Sequence, residues 1–298
     1  VAEQRRTLGL LALVVVLFGS AWPVIKVALE GATPIWFAAA RAGLGAIVSF
    51  ALLGLLGRLA RPTRADLPIV LSIGVLQLSC FFALSNLGLR LVPAGRSALL
   101  AYTTSLWLVP LAALSGERIG LHRAAGVLAG LAGIAVLLDL RSFDWARPDV
   151  LFGDGFLLLA ALAWALAIFH ARRHVWHLSP LQLLPWQMLV ATVLLTAFAF
   201  AVEPGGHITP TPRVLLALAY IGVVAGPLGT WGATSAARAL PTVTSSVGFL
   251  GVPFLGVVLS TLWLGEPVTA SLAIGGALLL LGLALVVTAP AQGRKPQP

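Results

Sequence analysis

"LSGERIGLHRAAGVLAGLAGIAVLL", residues 114–138, and "LWLGEPVTASLAIGGALLLLGLALVV", residues 262–287, carry one pattern twice. Gly116, Glu117, Gly126 and Gly133 of the first stretch lie 149 residues ahead of Gly265, Glu266, Gly275 and Gly282 of the second. Working towards the N-terminus, Gly74, Arg90 and Pro93 match Gly222, Arg238 and Pro241 at an offset of 148, and Gly9, Lys26, Pro34 and Arg41 match Gly155, Arg172, Pro180 and Gln187 at 146. Three inserted residues therefore reconcile two similar halves.

The chain has 298 residues, 59% hydrophobic and 10% charged, with a mean hydropathy of +1.00. A soluble domain carries about 25% charged residues, so this is a membrane protein. A bilayer core of about 30 Å takes roughly 20 apolar residues per helix. Apolar runs of that length fall at 8–29, 34–57, 67–88, 93–114, 122–140, 151–171, 179–202, 214–235, 242–264 and 270–289. The expected fold is an all-α membrane protein of ten transmembrane helices. Its parts are an N-terminus at 1–7, a first five-helix repeat at 8–140, a connection at 141–150, a second repeat at 151–289 and a tail at 290–298. Because five is odd, the second repeat starts from the opposite side of the membrane, so the repeats are inverted. That is a frequent plan of secondary transporters, whose halves exchange conformations around a central site.

With the N-terminus inside, twelve Lys and Arg residues in or next to the tails and connections fall on the cytoplasmic side and five on the other. The bias places both termini, and the 290–298 tail, in the cytoplasm. Arg5, Arg6 and the small residues Gly19, Ser20 and Ala21 would suit a cleavable leader, but the first run pairs with the sixth and so is expected to stay. The net charge of +9 is spread as short clusters between apolar runs, without the basic, aromatic-interleaved patch that nucleic acid requires. Cys80 is the single cysteine, which excludes a disulfide framework. His170, His174 and His177 share a helical side on a basic helix end, which suits a solvated anchor better than a metal site. No nucleophile elbow, phosphate loop or zinc-protease motif is present. The expectation is a non-enzyme without cofactor or metal.

"LFGSAWPVIK", "TPIWFAAARAGLGA" and "SNLGLRLVPAG", with the paired Gly-Glu turns quoted first, resemble the drug/metabolite transporter superfamily, and within it the ten-helix EamA-type exporters. The likeness covers about residues 8–289 and is greatest to bacterial exporters of aromatic amino acids and methionine. It implies a carrier in the bacterial inner membrane that moves amino acids or related metabolites outward, through a cavity lined mainly by spans one, three, four, six, eight and nine. A nucleotide-sugar or drug carrier of the same superfamily is the alternative, although nucleotide sugars call for several cations facing the cavity. A channel would need a continuous polar pore.

Candidate contacts follow from a cavity that must recognise apolar or aromatic solutes with few charges. Trp164 stands mid-span among alanines, and Trp22 and Trp231 sit similarly in spans one and eight. Tyr102, Thr103 and Thr104 supply hydroxyls in span four, and the repeat-aligned stretch of span nine has Ser245, Ser246, Phe249 and Pro253. Pro253 and Pro227 either free backbone carbonyls for substrate or simply kink their helices. Gln77 and Phe81, four residues apart, share a face of span three. Arg41 either holds a carboxylate or braces spans one and two. Lys26 is either an interfacial anchor, like its counterpart Arg172, or a carboxylate contact. No Asp or Glu is expected deep within a span, and Glu117 and Glu266 are expected to cap the helices that follow them. Gly126, Gly130 and Gly133 allow close helix approach, within the bundle or in a homodimer.

Overall fold

The computed structural model describes residues 2–117, 119–138, 148–240 and 247–289; the connection at 141–147, Ser245, Ser246 and the tail at 290–298 lie outside the described residues. Among those described, ten helices are long and apolar enough to cross a bilayer. They are α1 (Ala2–Ala28), α2 (Pro34–Leu55), α3 (Leu67–Leu91), α4 (Ala94–Leu114), α5 (Leu121–Leu138), α6 (Asp149–Ala171), α7 (Pro180–Val202), α8 (Pro212–Ala219, continued by Tyr220–Ala225 and Gly226–Ala239), α9 (Val247–Leu264) and α10 (Ala270–Thr288). The starts are chemically marked. Proline opens α2, α7 and α8, where its missing N–H costs no helical bond. The Ser179 and Thr211 hydroxyls accept from Gln182 and Val214 N–H at the starts of α7 and α8, and Ser179 with Gln182 forms a reciprocal capping box.

The Gly-rich stretches that reveal the repeat pack on each other, α5 against α10. A Cβ on Gly133 would stand 2.7 Å from the Gly275 carbonyl oxygen, and one on Gly126 2.8 Å from that of Gly282. The two backbones therefore touch, as small-residue seams permit in a membrane. Within one chain, the glycine face of α5 meets α10.

Two helices depart from α geometry at matching places. Ile73–Cys80 of α3 and Tyr220–Ala225 of α8 are π-helical, and the repeat-related glycines Gly74 and Gly222 lie inside these turns. Each turn packs on the other half at a repeat-related partner. A Cβ on Gly74 would come 3.1 Å from the Gln187 carbonyl oxygen of α7, and one on Gly222 3.3 Å from that of Arg41 on α2. Helix α4 breaks at Tyr102 and Thr103, where tight bonds run from Thr103 N–H to Leu100 O (3.1 Å) and from Leu106 N–H to Thr103 O (2.8 Å).

Three carboxylates near helix ends take partners, Glu266 against its expectation. Glu266 caps α4 rather than the helix that follows it, accepting from Ala94 N–H (2.6 Å) and Gly95 N–H (3.0 Å); the nearer unsatisfied helix start in space takes it. Glu117 lies 3.8 Å from Arg123 in the first turn of α5. Asp154 is buried in α6, because α4 covers that turn, and both its oxygens bond Arg96.

Candidate functional site

A cavity of about 400 Å³ lies between α1, α2, α3, α4, α6, α7 and α8. Its walls are mostly aromatic and apolar. Trp164 of α6 meets Phe81 of α3 edge to face, with ring centroids 4.4 Å apart at 83°, and Phe18, Trp22 and Tyr102 complete the aromatic lining. Tyr102 reaches the cavity from the break in α4.

The polar side chains in this wall include Gln77, Ser85 and Thr230, and three others stand out. Arg41 is 7% exposed, Gln187 4% and Asn86 0%, and all three line the cavity. The Arg41 guanidinium stacks on Phe82, 3.4 Å from the ring centroid, while its Nε makes no hydrogen bond with the protein. Among the described residues no carboxylate lies within ion-pairing distance of it. Asn86 donates from Nδ2 to the Pro34 carbonyl at the start of α2 (3.0 Å), which leaves its Oδ1 without a partner; the Gln187 Nε2 is likewise unpartnered. Buried polar groups without partners are costly and uncommon.

Of the residues singled out from sequence, Trp164, Trp22, Tyr102, Gln77, Phe81 and Arg41 line the cavity. Thr103 and Thr104 do not. Their hydroxyls turn back to the Leu100 carbonyl (2.7 Å) and the Ala101 carbonyl (3.2 Å) and so cover the break in α4. Trp231 is 42% exposed and borders a separate space of about 180 Å³ between α7 and α8. Phe249 packs with Leu11, Ala236 and Leu240, and Pro253 is buried in α9 and is not among the residues lining the cavity. Lys26 takes neither role expected of it: its ammonium donates to the Leu89 carbonyl (2.6 Å) and the Val92 carbonyl (2.8 Å) at the end of α3. Those terminal carbonyls are unpaired within their own helix and carry its partial negative charge, so a neighbouring cation is drawn to them. Asn86, Phe82 and Gln187 join the wall without having been chosen from sequence. The adjacent polar pair Ser85-Asn86 inside an apolar run was the available signal.

At the end of the bundle that holds Lys26 the helices are tied together. Lys26 binds the end of α3, Glu266 the start of α4, and Arg96 of α4 pairs with Asp154 of α6. The Glu203 carboxylate accepts from Ile35 N–H (3.1 Å) and Trp36 N–H (3.3 Å) at the start of α2, and the α1–α2 and α7–α8 connections pair through Thr33 N–H to His207 O (3.0 Å) and Thr209 N–H to Gly31 O (2.8 Å). The cavity lining runs the other way, to Ala171, Trp176 and Pro180 at the Arg172 end.

Known proteins share this sequence and shape. The model of the EamA-like transporter family matches twice, at residues 5–139 and 151–288. Over 296 residues the chain is 27% identical to an uncharacterized transporter, YvbV, of Bacillus subtilis (strain 168), covering 96% of this chain and 92% of that protein. It is 27% identical to a probable terminal-alkyne amino-acid exporter of Streptantibioticus cattleyicolor, covering 93% and 91%, and 29% identical to a probable amino-acid metabolite efflux pump of Escherichia coli (strain K12), covering 92% and 93%. A solved crystal structure, 24% identical, shares the fold with a TM-score of 0.61 over 93% of this chain and 96% of that one. Two family matches, one on each inverted half, and the ten-helix bundle between them make this chain a transporter that belongs to the EamA-like transporter family.

Proposed function

We propose that the protein is a secondary carrier of the bacterial inner membrane, with both termini cytoplasmic, that exports amino acids with apolar or aromatic side chains, or related small metabolites, by alternating access. The single observation that carries this reading is the cavity: aromatic walls, one cation, a tied Lys26 end and a lining that continues to the Arg172 end. Aromatic faces suit flat or apolar side chains, and one buried cation suits a solute with one negative group. The names of the Streptantibioticus and Escherichia relatives, which speak of amino-acid export and of amino-acid metabolite efflux, support the substrate class. On this orientation the structure is the cytoplasm-facing state, and its inverted halves supply the opposite one.

The test is counterflow in proteoliposomes of the purified chain, with a radiolabelled panel of amino acids, nucleotide sugars and cationic drugs. Saturable movement of phenylalanine- or methionine-like amino acids, stimulated by preloading, is the expected result. Movement of nucleotide sugars or cations alone overturns the substrate class and leaves the carrier; unsaturable flux of everything overturns the carrier.

A further inference from the structure

The wall of the cavity holds two buried polar atoms that complement the two charged ends of one molecule. Arg41 Nε is a cationic donor without a partner, and Asn86 Oδ1 is an acceptor without one. Neither side chain is free to turn away. The Arg41 guanidinium lies flat on Phe82, a cation–π contact that fixes its plane. The Asn86 amide is oriented by its bond to Pro34: only the NH2 can face a carbonyl oxygen, so Oδ1 is held on the side of the amide away from Pro34, buried in the cavity wall. Phe82 and Asn86 are four residues apart on α3, about one turn or 6 Å along the axis. Arg41, stacked on Phe82, and Asn86 therefore meet the same face of α3.

We propose that Arg41 and Asn86 together form the receptor for the zwitterionic head of an α-amino acid, the carboxylate on Arg41 and the ammonium on Asn86 Oδ1, with the side chain laid against Phe81 and Trp164. This deepens the export reading above and rests on it. Gln187, which occupies in the second half the position of Arg41 in the first, offers a further unpartnered donor, Nε2, but no charge. The cavity therefore neutralises one carboxylate and not two, and dicarboxylic amino acids are rejected because their second carboxylate meets aromatic walls and no cation. Each partner also explains its own cost: an empty site leaves both atoms unsatisfied, and the head of the substrate satisfies them.

The experiment uses the full chain in lipid nanodiscs and measures equilibrium binding of tritiated phenylalanine. The competitors are phenylalaninamide, which lacks the carboxylate, 3-phenylpropanoate, which lacks the ammonium, and glutamate. Phenylalaninamide and 3-phenylpropanoate should each compete about tenfold to a hundredfold less well than phenylalanine, the usual loss when a buried charged hydrogen bond is removed, and glutamate should compete no better than they do. Arg41→Gln should abolish the preference for phenylalanine over its amide, Arg41→Lys, which keeps the charge but not Nε, should narrow it, and Asn86→Leu should abolish the preference over 3-phenylpropanoate. If the wild type binds phenylalanine and both analogues alike, the head receptor is overturned while the carrier reading stands. It is overturned equally if the Arg41 variants discriminate as the wild type does. If the folded wild type binds no phenylalanine and counterflow finds another solute class, the receptor and the amino-acid reading fall together.

Discussion

A lysine ammonium near the end of an apolar helix can turn to water, to lipid phosphate or to the bare carbonyls of a neighbouring helix. Lys26 takes the last of these, and nothing in the run "FGSAWPVIKVAL" encodes the choice, because the carbonyls belong to residues 63 and 66 positions away. Trp164 was legible for the opposite reason: a tryptophan flanked by alanines mid-run leaves room beside its own ring, a property of local sequence. Asn86 and Gln187 were not, since whether a lone amide faces a cavity or a neighbouring helix depends on packing. Trp164→Ala should raise the half-saturation concentration for aromatic substrates by roughly three- to tenfold, the worth of about one aromatic contact, read in counterflow; an unchanged value would remove Trp164 from the site. Glu266→Ala should strip the carboxylate from the start of α4 and cost about 0.5–2 kcal/mol, measured as a lower melting temperature of the detergent-solubilised protein.

The helices themselves were legible to within about six residues at their ends, because a run of twenty apolar residues admits little else in a bilayer. The glycine spacing of "GVLAGLAG" likewise announced a close contact but not its partner, which the structure gives as α10. Gly133→Leu drives a side chain into the backbone of α10 at Gly275 and Leu279, and should destabilise the fold by about 1–3 kcal/mol or more, as overpacking does, with loss of monodisperse protein on size-exclusion chromatography. The π-helical turns left no signal in the hydrophobic pattern. An extra residue in a turn shifts the phase of a periodicity, and a helix greasy on every side has no phase to shift. Only the glycines that let those turns approach the other half can be seen in the sequence.

Across the whole molecule each end is held by its own polar contacts. At the Arg172 end Asp66, just before α3, is buried. Burial alone would raise its pKa, but bonds from the Thr63 hydroxyl and from the N–H groups of His177, Thr63 and Leu178 outweigh that and hold it below the usual carboxylate value. A carboxylate with a lowered folded pKa contributes stability in full above its unfolded value of about 4 and loses it as pH falls through the lower folded value. Melting temperature should therefore hold between about pH 7 and 5 as far as this group is concerned and fall under stronger acid, while Asp66→Asn starts lower and loses less on acidification. At the other end, Lys26→Met frees the end of α3. In a Cys80→Ser, Ser85→Cys background, an impermeant maleimide added from the Lys26 side should label the cavity about tenfold faster or more, in keeping with two lost charged hydrogen bonds; an unchanged rate would show that Lys26 does not hold this end shut. The inverted plan was readable because repetition survives in small residues and turns, whereas the facing direction was not, because both directions use the same residues. The paired π-turns also bear on ancestry. A turn present in both halves at the repeat-related glycine marks the two halves as copies of one five-helix unit.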